Sequence, residues 1–259
     1  MAEGEAGVIA AALSLAVPLS SVLDSFSGAI EFIFQQRQSE LESGSGGTQV
    51  GGLDQVWDLM WRHIEVSVLA LAVSLVLALP IGVVLGHRGK GEFLAIAIGN
   101  AGRAVPELAL IAFMVAFVGV GLVNLTIALM VLGIPPILTN AFVGIRQVDR
   151  GAVEAARGMG LSASQVLRKV ELPLAMPTIM TGVRTAAINI IATATLGPIA
   201  GQLTLGDFII SSSVYGSEGV LAGAILVAVL VVAVELVLAA VQRLLTPRGL
   251  ALQRAGAGA

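Results

Sequence analysis

The sequence predicts an all-α integral membrane protein with a five-helix core bundle and a possible additional N-terminal helix. Three observations carry this reading. Apolar runs of Ala, Val, Leu and Ile recur in stretches of about 20 residues, the length a helix needs to cross a bilayer. They lack the dyad alternation of a membrane barrel. Only 12% of the 259 residues are charged, against 56% hydrophobic, and mean hydropathy is +0.94. A soluble domain carries about 25% charge, so a soluble reading has no polar surface to offer. Finally, the basic residues gather in alternate intervals between the runs.

Taken in order, residues 1–56 form an accessory segment and linker. Residues 7–34 are apolar, but Glu3 and Glu5 precede them where a cleaved signal would carry basic residues. Pro18 and Asp24 interrupt the run, which reads either as an added transmembrane helix or as an interfacial one. Residues 37–56 are charged and then Gly/Ser-rich (Ser43-Gly44-Ser45-Gly46-Gly47), a composition that predicts a flexible linker.

The membrane domain is assigned to residues 57–250. Residues 66–85 make a first span without a charge, preceded by Trp57 and Trp61, which suit an interfacial belt. A short basic loop, Gly86-His87-Arg88-Gly89-Lys90, leads to a second span over 93–118, broken around Arg103-Ala104-Val105-Pro106. Arg103 and Glu107, four apart, would neutralise each other on a continuous helix. After Gly119-Val120-Gly121 the third span covers 122–145, with Pro135-Pro136 inside it. Such a break is tolerated where it lines a cavity, which makes the nearby Asn140 a pathway candidate. The fourth span, 177–199, contains Arg184, and the fifth, 220–241, contains Glu235. An ionisable residue in a span is a functional candidate by default, although for both the commoner role is structural: snorkelling, or pairing with an opposite charge. Residues 201–219 form a loop, and 251–259 a tail. His63 and His87 sit at the mouths of apolar runs and read as interfacial.

The loop at 86–92, the stretch at 146–171 and the C-terminal end hold ten of the fourteen Lys and Arg residues. By the positive-inside tendency these intervals are cytoplasmic.

The interval 146–173 has local structure of its own. Asp149 caps a short helix that Gly158 or Gly160 ends, since glycine accepts the left-handed conformation of a helix exit. Ser162 with Gln165 reads as a capping box starting a second short helix, which Pro173 would close. Small side chains and the charges of Glu154, Arg157, Arg168 and Lys169 make it a docking surface.

At this point a resemblance becomes specific. Glu154-Ala155-Ala156, then Gly160, then Val170-Glu171-Leu172-Pro173 resembles, with every spacing kept, the signature loop of permease subunits of binding-protein-dependent ABC importers of the MetI-like type I fold. The resemblance implies that Glu154, Ala155, Ala156, Arg157, Gly160 and Pro173 belong to the segment that couples to a cytoplasmic ATPase. Over residues 57–250 further stretches look like the osmoprotectant branch, which imports glycine betaine, choline and carnitine. They are Arg103-Ala104-Val105-Pro106, Pro136-Ile137-Leu138-Thr139-Asn140, Val148-Asp149, Glu171-Leu172-Pro173-Leu174-Ala175-Met176-Pro177, Gly182-Val183-Arg184-Thr185-Ala186 and Ala192-Thr193-Ala194-Thr195-Leu196. One departure stands out. In Gly201-Gln202-Leu203-Thr204-Leu205-Gly206, Leu203 and Thr204 occupy positions where that branch usually has glycines, which should stiffen the loop and leaves the cargo open.

The resemblance also implies an extracytoplasmic solute-binding protein, a second permease subunit (identical or related) and a bacterial or archaeal plasma membrane as the setting. No cofactor is implied. The absence of cysteine removes disulfides and thiolate chemistry. No Gly-x-x-x-x-Gly-Lys-Ser/Thr loop occurs, so ATP hydrolysis would fall to a partner. The −3 net charge gives no reason to expect nucleic-acid binding. Aromatic residues are only 4% of the chain, with no cage for a quaternary ammonium, which suits selection by a separate binding protein. A permease of the same fold for an amino acid, and an ATP-independent carrier, channel or scaffold, are the alternatives.

Overall fold

The computed structural model describes residues 19–39, 41 and 48–246. The elements are α1 (Leu19–Phe34), β1 (Gln36–Gln38), β2 (Gln49–Gly51), α2 (Gly52–Arg88), α3 (Glu92–Ala104), α4 (Glu107–Val118) and α5 (Leu122–Arg146). There follow α6 (Arg150–Gly158), α7 (Ala163–Ala194), a 3-10 turn (Gly197–Ala200), α8 (Gly206–Ile210) and α9 (Ser212–Leu245). Four of these, α2, α5, α7 and α9, are long and apolar enough to cross a membrane. The fifth member of the core is the α3–α4 pair. Its break falls at Val105-Pro106, because proline has no N–H to continue the ladder and restricts the residue before it.

Helix α5 is the centre of the bundle, with α2 and α7 as its main neighbours and α3 beside it. Glycines permit that crowding. A Cβ added at Gly82 of α2 would come within 2.6 Å of the Leu138 carbonyl, and one at Gly182 of α7 within 2.6 Å of the Pro136 carbonyl. One added at Gly102 of α3 would collide with the Pro135 ring. In a bilayer, where apolar burial drives helix association weakly, close backbone approach and the dispersion contacts it brings hold helices together.

Several sequence expectations are corrected here. Pro173 does not close a short helix: α7 runs unbroken from Ala163 to Ala194. A π-turn at Leu167–Glu171 precedes the proline, and the Leu172 N–H donates to the Leu167 carbonyl, five residues back. Widening the ladder there lets the chain pass a residue that cannot donate. The fourth span therefore starts earlier than expected and ends at Ala194, before the 3-10 turn. The 37–56 linker is partly ordered: β1 and β2 pair antiparallel, with Arg37 opposite Val50, and α2 begins at Gly52. The 201–219 loop is largely helical, supplying α8 and the first turns of α9, which Gly216 interrupts at φ +67. Arg103 and Glu107 fall in different helices, so the i,i+4 relation does not apply. Residues 7–18, the Ser43-Gly44-Ser45-Gly46-Gly47 run and the 251–259 tail lie outside the described residues.

Helix α1 docks on α9. Phe32, Phe208 and Tyr215 stack edge to face, with centroid separations of 5.3 Å for Phe32–Phe208 and 5.0 Å for Phe208–Tyr215. Arg37 pairs with Glu218, donates from Nη2 to the Tyr215 carbonyl at 2.7 Å and lies over the Phe32 ring.

Candidate functional site

Two places combine chemistry with position: the projecting segment α6 and a polar cleft along α7.

The projecting segment is built as its residues dictate. Asp149 accepts hydrogen bonds from the backbone N–H groups of Gly151 and Ala152, at 3.3 and 3.1 Å, capping α6. The exit is a Schellman turn. Gly160 adopts φ +83, its N–H donates to the Arg157 carbonyl, and the Leu161 N–H donates to the Ala156 carbonyl. Gly160, not Gly158, is thus the residue that needs to be glycine. Helix α7 then starts with the Ser162 N–H donating to Gln165 Oε1 at 2.8 Å. Val153 and Ala156 face inward, packed with Val148, Val166, Ala175 and Ile179. Ala156, 2% exposed, faces the bundle and packs in its core. The outward face is Glu154, Ala155, Arg157 and Met159, the last 75% exposed. Pro173 lies behind this surface, half-buried just past the π-turn.

Two connections join residues far apart in sequence and leave little local trace of the pairing. The His87 side chain, at the end of α2, meets Glu171 of the π-turn, with 2.5 Å between Nδ1 and Oε2. Glu171 is 6% exposed. His63 is fully buried, its Nε2 3.0 Å from the Ile191 carbonyl of α7, so it belongs to the bundle interior and not to an interface. Leu59, Met60 and Val66, at i−4, i−3 and i+3 of His63, are the local signal of that burial.

The cleft has a volume of about 410 Å³ and lies among α3, α5 and α7. Asn100, Thr139, Asn140, Thr181, Thr185 and Asn189 supply its polar wall. Asn140 lines it and donates from Nδ2 to the Pro136 carbonyl at 2.8 Å. Thr181, Thr185 and Asn189 are spaced four apart on one face of α7 and are exposed. Arg184 points elsewhere. It pairs with Glu235 and donates to Gln242 Oε1 at 2.8 Å, tying α7 to α9. Beyond the cleft, Thr204 is fully buried; its Oγ1 donates to the Ala194 carbonyl at 2.9 Å and accepts from the Gly206 N–H. The residue that departs from the expected glycines therefore fastens the 201–206 segment to the end of α7. Among the described residues no group of three or more His, Cys, Asp and Glu side chains is arranged to hold a metal.

Apolar helices around a polar cleft, with an amphipathic segment projecting from one end, define a membrane transport subunit. The chain belongs to the family described as binding-protein-dependent transport system inner membrane component, which matches residues 78–249. It is 39% identical over 191 residues to the choline transport system permease protein OpuBB of Bacillus subtilis (strain 168), covering 73% of this chain and 88% of that one. It is 36% identical over 197 residues to the carnitine transport permease protein OpuCB of Listeria monocytogenes, covering 76% and 90%. Among solved structures, the inward-facing MetNI methionine ABC transporter has a chain of the same fold. The TM-score is 0.65 at 23% identity, over 75% of this chain and 98% of that one.

Proposed function

We propose that this chain forms the translocation pathway of an ATP-driven importer for a small osmoprotectant such as glycine betaine, choline or carnitine. The observation that carries the coupling part of this reading is the short connection, through the Gly160 turn, from α6 to the single helix α7. A surface exposed at the basic end of the bundle is one tight turn away from the unbroken helix α7, which runs on to the wall of the polar cleft. A partner ATPase seated on Glu154, Ala155, Arg157 and Met159 would move α7 directly. The positive-inside tendency puts this end in the cytoplasm. Hydrolysis belongs to that partner, and the chain itself carries no catalytic role.

A second permease subunit follows from the cleft. Thr181 and Thr185 return their hydroxyls to carbonyls of their own helix, but with Asn189, whose amide has four hydrogen-bonding sites to satisfy, they make an exposed polar stripe within a span that suits water or another protein better than lipid. A second subunit opposite α7 closes the pathway. Relatives named for choline, carnitine and glycine betaine transport support the cargo class, and capture of the solute falls to a solute-binding protein on the opposite side.

The test is reconstitution of the chain with its ATPase and binding protein in proteoliposomes. ATP-dependent uptake of labelled choline, carnitine or glycine betaine is expected. Uptake without ATP, or of amino acids alone, overturns the reading.

A further inference from the structure

We propose that Glu107 is the charge-selecting residue of the pathway, binding the cationic head of the solute at one end of the cleft. This rests on the reading of the cleft as the translocation path.

Glu107 opens α4, directly after the Val105-Pro106 break. The thirteen residues of α3 before that break rise roughly 20 Å. Near its end, Gly102 lies against Pro135, in the middle of α5. Glu107 is therefore at membrane depth. It is also exposed. A carboxylate there is costly unless something neutralises it. The ion pairs among the described residues are Arg37–Glu218, Arg62–Asp58, His87–Glu171 and Arg184–Glu235, and none includes Glu107.

What Glu107 does have is an oriented position beside the cleft. Its Oε2 accepts a hydrogen bond from Thr193 Oγ1 at 2.8 Å, and Thr193 is buried. Thr193 continues the four-residue series Thr181, Thr185, Asn189 along α7, so the carboxylate is held one helical turn beyond the cleft's last polar residue. A quaternary ammonium has no N–H to donate. It is recognised by an anionic or aromatic group. Among the described residues no aromatic side chain lines the cleft, which leaves the carboxylate as the group suited to the cation, while the amides and hydroxyls suit water or a solute carboxylate.

The two solute classes then separate by charge. Choline is a net cation and gains the full attraction. Glycine betaine carries its own carboxylate a few ångströms from the ammonium, so attraction and repulsion at Glu107 partly cancel. In the full transporter with its ATPase and binding protein, ATP-driven uptake of both compounds is measured from one preparation of Glu107→Gln. The choline kcat/KM is expected to fall about tenfold, the scale of one charge pair in a partly screened site, and that of glycine betaine much less. Thr193→Val, which removes the orienting hydroxyl at similar shape, is expected to shift the ratio in the same direction by a smaller factor. A uniform fall for both compounds, or no change in either, with the wild type active, overturns the role of Glu107. Failure of the wild type to move either compound overturns the functional reading, and the ligand assigned to Glu107 with it.

Discussion

The His87 imidazole lies against the Glu171 carboxylate, 2.5 Å from Nδ1 to Oε2, and so joins the last turn of α2 to the π-turn near the start of α7, the helix that follows α6. The contact spans the place where force from a partner on α6 would enter the bundle. Glu171→Gln keeps the shape and an acceptor but removes the charge. It is expected to leave assembly with the ATPase intact and to lower the amount of solute moved per ATP several-fold. Simultaneous measurement of uptake and phosphate release checks this, and an unchanged ratio sinks the idea.

Gly160 stands in open space, with no atom within 4 Å of an added Cβ, so its requirement is conformational alone. Gly160→Ala should cost about 1 kcal/mol for the left-handed backbone and only weaken uptake. Gly160→Pro cannot adopt φ +83 and removes the N–H that bonds to Arg157. It should abolish uptake with the protein still inserted, as should Glu154→Lys through reversed charge on the outward face. Uptake assays beside quantitative membrane blots distinguish these outcomes, and normal transport by the proline variant would defeat the docking role.

Arg184 and Glu235 neutralise each other between α7 and α9. Removing one strands the other inside a span, whereas removing both leaves an apolar contact. Arg184→Met and Glu235→Met should each reduce the yield of folded protein, and the double variant should recover most of it. Monodispersity of detergent-purified protein measures this; additive losses would show the pair to be uncoupled.

Thr204→Val keeps volume and deletes the hydroxyl that serves both the Ala194 carbonyl and the Gly206 N–H. Two backbone groups lose their partner in a buried place, at a cost of about 1–3 kcal/mol. A lower thermal unfolding midpoint is expected for Thr204→Val and a near-normal one for Thr204→Ser.

What could be read from the residues is what depends on local order. Asp149, Ser162 with Gln165, and the glycine exit at 160 act within one or two turns, and each occurs in the structure as a backbone contact. The break at Val105-Pro106 is equally local. Apolar run length identified the membrane class, because a bilayer requires it of any spanning helix. Local rules also misled. Pro173 reads as a stop until the π-turn is seen to carry the helix past it. The 201–219 stretch reads as loop because its glycines are scattered, although Gly206 serves a close approach to the Thr195 backbone.

The sequence by itself therefore determined the class, the order of the apolar segments and the position of α6 between two of them, but not where each helix starts and ends. Only the tertiary structure decided which side chains meet: Arg184 with Glu235, His87 with Glu171, Thr193 with Glu107. Those pairs are 51, 84 and 86 residues apart. They depend on the rotation and stagger of packed helices, which the close approaches at Gly82, Gly102 and Gly182 set jointly and no local pattern encodes.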